Sequence, residues 1–260
     1  MDFLNQLVSD VNGVLWGVFF LIPLLCGTGI FYTIKLRFVQ VRKFGLAARF
    51  LLGGASLFGK RADKSGMSSF QALATAVAAQ VGTGNVAGTA TALVAGGPGS
   101  LFWLWVAAFF GMATIFAEAV LAQTYRTKDE QGRVLGGPAY YITLGMGEKW
   151  RPLAVFFSIA IIIALGCIGN MVQSNSIGEA CQNAFHIPSW VMGLIVSAIA
   201  AFIFIGGVQR IASVTEKIVP VMACLYLVGG LIVLLARIRY VPETFGMIFK
   251  YAFVPQSIIG

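Results

Sequence analysis

Charge is scarce in this sequence: Asp, Glu, Lys and Arg make up 11% of its 260 residues, where an average soluble domain carries about 25%. Histidine is scarcer still. His186 stands alone, just before Ile187-Pro188 in an expected loop, so no proton relay can be built on imidazole and the residue reads as solvated or capping. The four cysteines, Cys26, Cys167, Cys181 and Cys224, form no CxxC pair and have no histidine at ligand spacing. Neither a disulfide framework nor a metal site is indicated, and an intramembrane enzyme is left without a nucleophile and base or a metal to work with.

Apolar residues, in contrast, make up 58% of the chain. The charges gather in short clusters separated by long apolar runs, the pattern lipid imposes because a charge at the bilayer centre costs several kcal/mol. A net charge of +8 does not indicate nucleic acid, since Lys and Arg flank apolar segments instead of covering one soluble face. The fold class expected is therefore an all-α integral membrane protein.

A helix needs about 20 mainly apolar residues to cross the hydrocarbon core. Six stretches qualify, near residues 14–34, 68–95, 101–125, 152–172, 189–207 and 218–236. The first is not a signal peptide, because Asp2 and Asp10 precede it and no Lys or Arg does. Between the first two stretches lie Lys35, Arg37, Arg42, Lys43, Arg49, Lys60, Arg61 and Lys64, which puts that link on the cytoplasmic side and the amino terminus outside. Arg126, Lys128, Arg133, Lys149 and Arg151, then Arg210 and Lys217, follow the same rule; Arg237, Arg239 and Lys250 are exceptions. Within the first link, residues 38–58 mix apolar and basic side chains, as an interfacial helix does; an ordered loop is the alternative. Residues 253–260 look like the opening of a further apolar segment, so the whole reads as a single transmembrane domain fragment.

The second stretch differs from the rest. Its middle reads Ala78-Ala79-Gln80-Val81-Gly82-Thr83-Gly84-Asn85-Val86-Ala87-Gly88, with the polar Gln80 and Asn85 and three glycines at membrane depth. Glycine permits non-helical backbone, which a membrane tolerates only where protein or a watery cavity satisfies its polar groups. A break here would point N–H groups of an outer half-helix at a carboxylate, and carbonyls of an inner half-helix at a cation or an ammonium group. Other readings stay open. Gly84 and Gly88 could be a close-packing face, and Gln80 and Asn85 could be interhelical hydrogen-bond partners. A dinucleotide fingerprint over Gly82, Gly84 and Ala87 lacks the preceding strand and the later acidic residue.

Residues 71–93, from Gln71 to Leu93 around this segment, resemble the first core helix of the alanine or glycine:cation symporter family. Residues 27–40 (Gly-Thr-Gly-Ile-Phe-Tyr-Thr-Ile-Lys-Leu-Arg-Phe-Val-Gln), 116–126 (Phe-Ala-Glu-Ala-Val-Leu-Ala-Gln-Thr-Tyr-Arg) and 136–142 (Gly-Gly-Pro-Ala-Tyr-Tyr-Ile) support the resemblance. It implies the LeuT-type fold of the neurotransmitter:sodium symporters: a first inverted repeat of five helices preceded by one extra transmembrane helix, with the second repeat largely absent. It also implies uptake of alanine or glycine driven by sodium, with no other cofactor. Related symporters carry Asn-Ala-Val-Gly-Leu-Gly-Asn at a broken helix, which residues 79–85 resemble in glycine spacing and terminal Asn. The resemblance thus assigns substrate to Ala79, Gln80, Gly82, Thr83, Gly84 and Asn85. The carbonyls of Ala78 and Val81 would ligate one sodium, and the Gln80 carbonyl with the Asn85 amide a second. Ala79 and Thr83 depart from the pattern's Asn and Leu, which bears on that second ion.

Glu118, an acid inside the third stretch, with Arg126 two turns on, reads as a gate or ion pair, or as a coupling site. Asn170, Gln173 and Asn175 either line an access path or begin an outside loop. The functional expectation is a secondary active symporter in the cell membrane. Its rivals are a passive amino-acid channel, which needs a continuous polar stripe, and proton-coupled transport. The topology has a direct check: with the native cysteines replaced, a single cysteine at position 61 should stay unlabelled by a membrane-impermeant thiol reagent applied outside intact cells.

Overall fold

The computed structural model describes residues 2–15, 20–53, 69–130, 132 and 134–259; part of the interfacial stretch expected at 38–58, together with Lys60, Arg61, Lys64 and Arg133, lies outside them. The chain divides into two compact units. One comprises Met1–Leu52, Gly88–Val120 and Arg237–Gly260, the other Gly53–Ala87 and Leu121–Ala236.

In chain order the first helices are α1 (Asp2–Leu15), α2 (Leu21–Lys35), α3 (Val39–Arg42), α4 (Phe44–Gly53), α5 (Ser69–Gln80), α6 (Thr83–Gly96) and α7 (Ser100–Thr124). A two-residue ladder follows, β1 (Thr127–Lys128) antiparallel to β2 (Val134–Leu135), with Thr127 opposite Leu135. Then come α8 (Pro138–Met146), α9 (Arg151–Ile161), a π-helical segment at Ile162–Gly169, α10 (Asn170–Phe185), α11 (Ser189–Phe204), α12 (Gly207–Ala236), α13 (Val241–Tyr251) and α14 (Pro255–Ile259).

Among the described residues, three helical stretches are long and apolar enough to cross a bilayer: Ser100–Thr124, Glu148–Phe185 and Gly207–Ala236. The second runs for 38 residues, about 57 Å at 1.5 Å per residue, well beyond the roughly 30 Å of hydrocarbon. Leu21–Lys35 and Ser189–Phe204 are shorter apolar helices. The stretch expected at 68–95 is two helices, α5 and α6, separated at Val81-Gly82. Two helix starts differ from the hydropathy reading. α1 has apolar Phe3, Leu7, Val11 and Val14 along one stripe and polar Asn5, Ser9, Asp10 and Asn12 elsewhere, an amphipathic pattern that an average over a long window hides. α12 begins at Gly207, ahead of 218, because Gly207-Val-Gln-Arg-Ile-Ala-Ser-Val-Thr-Glu-Lys is helical despite its charges.

Among the described residues the buried interior is mostly small residues, with Val39, Val219 and Ile248 beside them. Ala74, Ala113, Ala117, Ala154 and Ala212 are buried, while Phe156, Leu165, Met171, Phe202, Leu225 and Leu231 are exposed. A soluble core would reverse this. Between membrane helices there is little hydrophobic gain in burying large chains, and small residues let backbones approach closely.

In the first unit α2 lies close on α7: a Cβ at Gly29 would meet Phe110 Cβ at 2.8 Å and its carbonyl at 3.2 Å. The segment from Arg237 onward packs on the end of α6 and the start of α7. Ser257 Oγ donates to the Gly96 carbonyl at 2.7 Å and Gln256 Nε2 to the Ala95 carbonyl at 3.0 Å, satisfying carbonyls a helix end leaves open. Trp103 Nε1 donates to the Ala252 carbonyl at 2.6 Å, and Phe102 sits edge-on to Phe249 at 5.9 Å.

In the second unit Gly178 on α10 approaches Ser189 at the start of α11, where a Cβ would stand 3.1 Å from the Ser189 Cβ. Ser189 Oγ donates to Gln182 Oε1 at 2.6 Å. The Arg210 guanidinium lies 3.9 Å over the Phe202 ring.

The α2–α7 approach gives a stability test. Gly29→Val should destabilise the protein by about 1–3 kcal/mol through overpacking, whereas Gly27→Val, which meets nothing within 4 Å, should not. Thermal unfolding in detergent measures both.

Candidate functional site

The site is built from the interruption between α5 and α6, which lies in the second unit. α5 ends at Gln80, Val81 and Gly82 are non-helical, and α6 resumes at Thr83. Val81 N–H still reaches the Val77 carbonyl at 2.8 Å and Asn85 N–H turns back to the Gly82 carbonyl at 3.1 Å. Asn85 Nδ2 donates across the break to the Gln80 carbonyl at 3.0 Å. Three backbone acceptors remain: no donor among the described residues reaches the carbonyls of Ala78, Ala79 or Val81.

On the other side of the break, the first turn of α6 meets a side chain from α10. Gln173 Oε1 accepts from the Thr83 hydroxyl at 2.9 Å and from the Thr83 backbone N–H at 3.3 Å. The same amide lies against Gly82, where a Cβ would collide with Gln173 Nε2. A Cβ here would oblige the flexible end of Gln173 to shift. The π-helical segment Ile162–Gly169 immediately precedes α10, and such segments alter which face of a helix the following residues present.

Of the three polar residues on this helix, Asn170 donates to its own Gly166 carbonyl at 3.0 Å and Asn175 to Glu179 at 3.2 Å. Gln173 is the one of the three brought to the break. Ala78, Ala79, Gln80, Gly84 and Asn85 are exposed, and Gly82 and Thr83 half-buried. A Cβ on Gly84 or Gly88 would meet nothing within 4 Å, so neither glycine is required by packing here. Gln80 and Asn85, assigned together to a second sodium, are bonded to each other, and an ion there would have to replace that bond. Glu118 is exposed on α7, and Arg126, just past the end of α7, donates to Gln123 Oε1 at 3.1 Å.

Nearer the start of α5, two polar contacts reach residues that the hydropathy reading left in the link between 207 and 218. Gln71 Nε2 donates to Glu216 Oε2 on α12 at 2.8 Å, and the hydroxyls of Thr75 and Thr215 are 3.3 Å apart. The amphipathic start of α12 was the available signal.

The whole chain, residues 1–260, matches the Sodium:alanine symporter family. The chain belongs to that family. It is 43% identical over 258 residues to the sodium/alanine symporter AgcS of Methanococcus maripaludis, covering 97% of this chain and 55% of the relative. It is 39% identical over 259 residues to the amino-acid carrier protein AlsT of Bacillus subtilis, covering 100% of this chain and 53% of the relative. A third relative, named "Probable sodium/glutamine symporter GlnT" in Bacillus subtilis, is 40% identical over 250 residues, or 96% of this chain and 51% of the relative. The chain therefore spans about half the length of the curated relatives it matches. The family and these relatives are named as transporters, not as enzymes, and the apolar helices suit a membrane protein of that kind.

The approach of Gln173 to Gly82 predicts a coupled pair. Gly82→Ala should push the amide off Thr83 and destabilise the protein, and Gln173→Ala should cancel most of that penalty. A double-mutant cycle on unfolding midpoints should show a coupling of about 0.5–3 kcal/mol.

Proposed function

We propose that this chain forms the first repeat of a LeuT-type symporter, with one extra helix in front, that couples sodium entry to uptake of alanine or glycine by alternating access. The observation that carries this reading is the oxygen of Gln173 on the N–H and hydroxyl of Thr83 at a helix interruption. The start of α6 concentrates unsatisfied N–H groups and the positive end of the helix dipole, and an acceptor oxygen is held there. A substrate carboxylate offers the same kind of oxygen with a full charge, and charge-assisted hydrogen bonds are about twice as strong. In this mechanism the carboxylate takes over Thr83 and the neighbouring backbone of Gly82 and Gly84, and Gln173 turns aside.

The open carbonyls of Ala78 and Val81 favour sodium on the opposite side, since hard cations are bound by oxygen ligands. The ammonium group of a zwitterion fits the same pole. Ala79, Gln80 and Asn85 complete the substrate wall, Glu118 and Arg126 serve as gate or ion pair, and sodium is the coupling ion. The protein crosses the cell membrane several times with its amino terminus outside.

Substrate choice rests on the relative named as a sodium/alanine symporter and on the exposed, uncrowded Gly84. Gly84→Leu in a transporter of full family length should abolish alanine binding while the protein still inserts, and Gly88→Leu, one turn further, should leave binding intact. Under a pure packing role both would impair folding alike. The measurement is alanine binding by purified, monodisperse protein, paired with radiolabelled alanine uptake into vesicles with and without a sodium gradient. Normal affinity in Gly84→Leu removes the assignment, and uptake indifferent to sodium removes the coupling.

A further inference from the structure

The inner half-helix α5 is packed most extensively on α12, within the second unit. Their seam is narrow: Ala74 is 3% exposed, and Ala212 and Val219 on α12 are 2% and 8% exposed. Polar bridges cross it. Gln71 and Thr75 are four residues apart and share one face of α5, and they meet the adjacent Glu216 and Thr215 at 2.8 and 3.3 Å. Thr215 Oγ1 also lies 3.1 Å from the Ile211 carbonyl and 3.0 Å from the Ala212 carbonyl of its own helix. A hydroxyl has one proton to give. With that proton directed back into α12, Thr75 would donate across the seam; either hydroxyl can supply the proton.

These bridges have the properties of a contact built to open. The bond to Glu216 comes from a neutral amide, not from Lys or Arg, so separating the helices leaves no unpaired cation on α5. Pro220 lies inside α12 and has no N–H to offer the carbonyl four residues earlier, which belongs to Glu216; the helix is loosened at the turn that carries the carboxylate. At its other end α5 stops at the non-helical Val81-Gly82, a place where backbone angles can change without breaking a helix. A short helix with a hinge at one end and hydrogen bonds on one face can swing as a unit.

We propose that Glu216 is a positioning residue that latches the inner half-helix α5 to α12 through Gln71, and that each transport cycle opens and remakes this latch. Glu216 touches neither substrate nor ion in this arrangement; it acts by holding the carbonyls of Ala78 and Val81, at the end of α5, in place. The proposal rests on the sodium-coupled reading, because sodium on those carbonyls would favour the latched position.

The test uses a transporter of full family length lacking the native cysteines, with Ala74→Cys as a reporter buried in the seam and a water-soluble thiol reagent added from the cytoplasmic side. With the native pair, sodium should slow labelling of this cysteine by about five-fold or more relative to choline. Glu216→Ala, or the similar-sized Gln71→Met, should speed labelling in choline and erase the sodium effect. The exchanged pair, Gln71→Glu with Glu216→Gln, should restore both. A sodium effect that survives Glu216→Ala and Gln71→Met, or an exchanged pair that labels like the single variants, overturns the latch and assigns these residues to static packing. Radiolabelled alanine uptake by the same protein is scored separately. Its failure would count against the transport reading, whereas the choline-only difference between native pair and Glu216→Ala reads the latch itself.

Discussion

Every polar group of a backbone in lipid has to find a partner within the protein or in trapped water. The interruption at Val81-Gly82 breaks the regular series of helical bonds in the middle of an apolar stretch, and the surroundings of that break follow from repairing it. Asn85 Nδ2 takes the Gln80 carbonyl, Asn85 N–H takes the Gly82 carbonyl, and Gln173 takes the Thr83 N–H. Gly82 is small enough for α10 to deliver that amide. The carbonyls of Ala78, Ala79 and Val81, beside the same break, are reached by no donor among the described residues. An unsatisfied acceptor away from water is costly.

The same economy of polar groups explains the packing. Small residues fill the seams, and polar side chains are spent where elements meet: Ser257 and Gln256 on the last carbonyls of α6, Ser189 on Gln182, Gln71 on Glu216. Large apolar chains turn outward, so the forces that hold the helices together are close backbone approach and a few directed hydrogen bonds, not burial of bulk. Such seams can part without exposing a large apolar core to water.

Family membership explains the residue pattern but leaves the substrate undecided. Relatives named for alanine and for glutamine are 43% and 40% identical to this chain, too close a pair of values to separate side-chain preferences. Selectivity depends on what surrounds the substrate side chain, whereas the substrate role proposed for the break concerns only the carboxylate and ammonium groups common to all amino acids.

Much was legible in the sequence because it depends on solvent and on local backbone chemistry. Scarce charge and long apolar runs specified membrane helices, and Gly82-Thr83-Gly84 beside Gln80 and Asn85 marked where helix would give way. These are one-dimensional signals: hydropathy and glycine freedom act within a few residues. α1 and the start of α12 were hidden from them because amphipathic helices average to low hydropathy, and so Glu216 was read as part of a link. Partner choice was beyond the sequence altogether. Asn170, Gln173 and Asn175 are chemically alike and closely spaced, yet Gln173 reaches Thr83 while the other two bond to their own helix. Which amide faces the break depends on the rotation of α10 after its π-helical segment and on the approach that Gly82 allows, and both are decided when helices pack, where distances between residues far apart in the chain first acquire values.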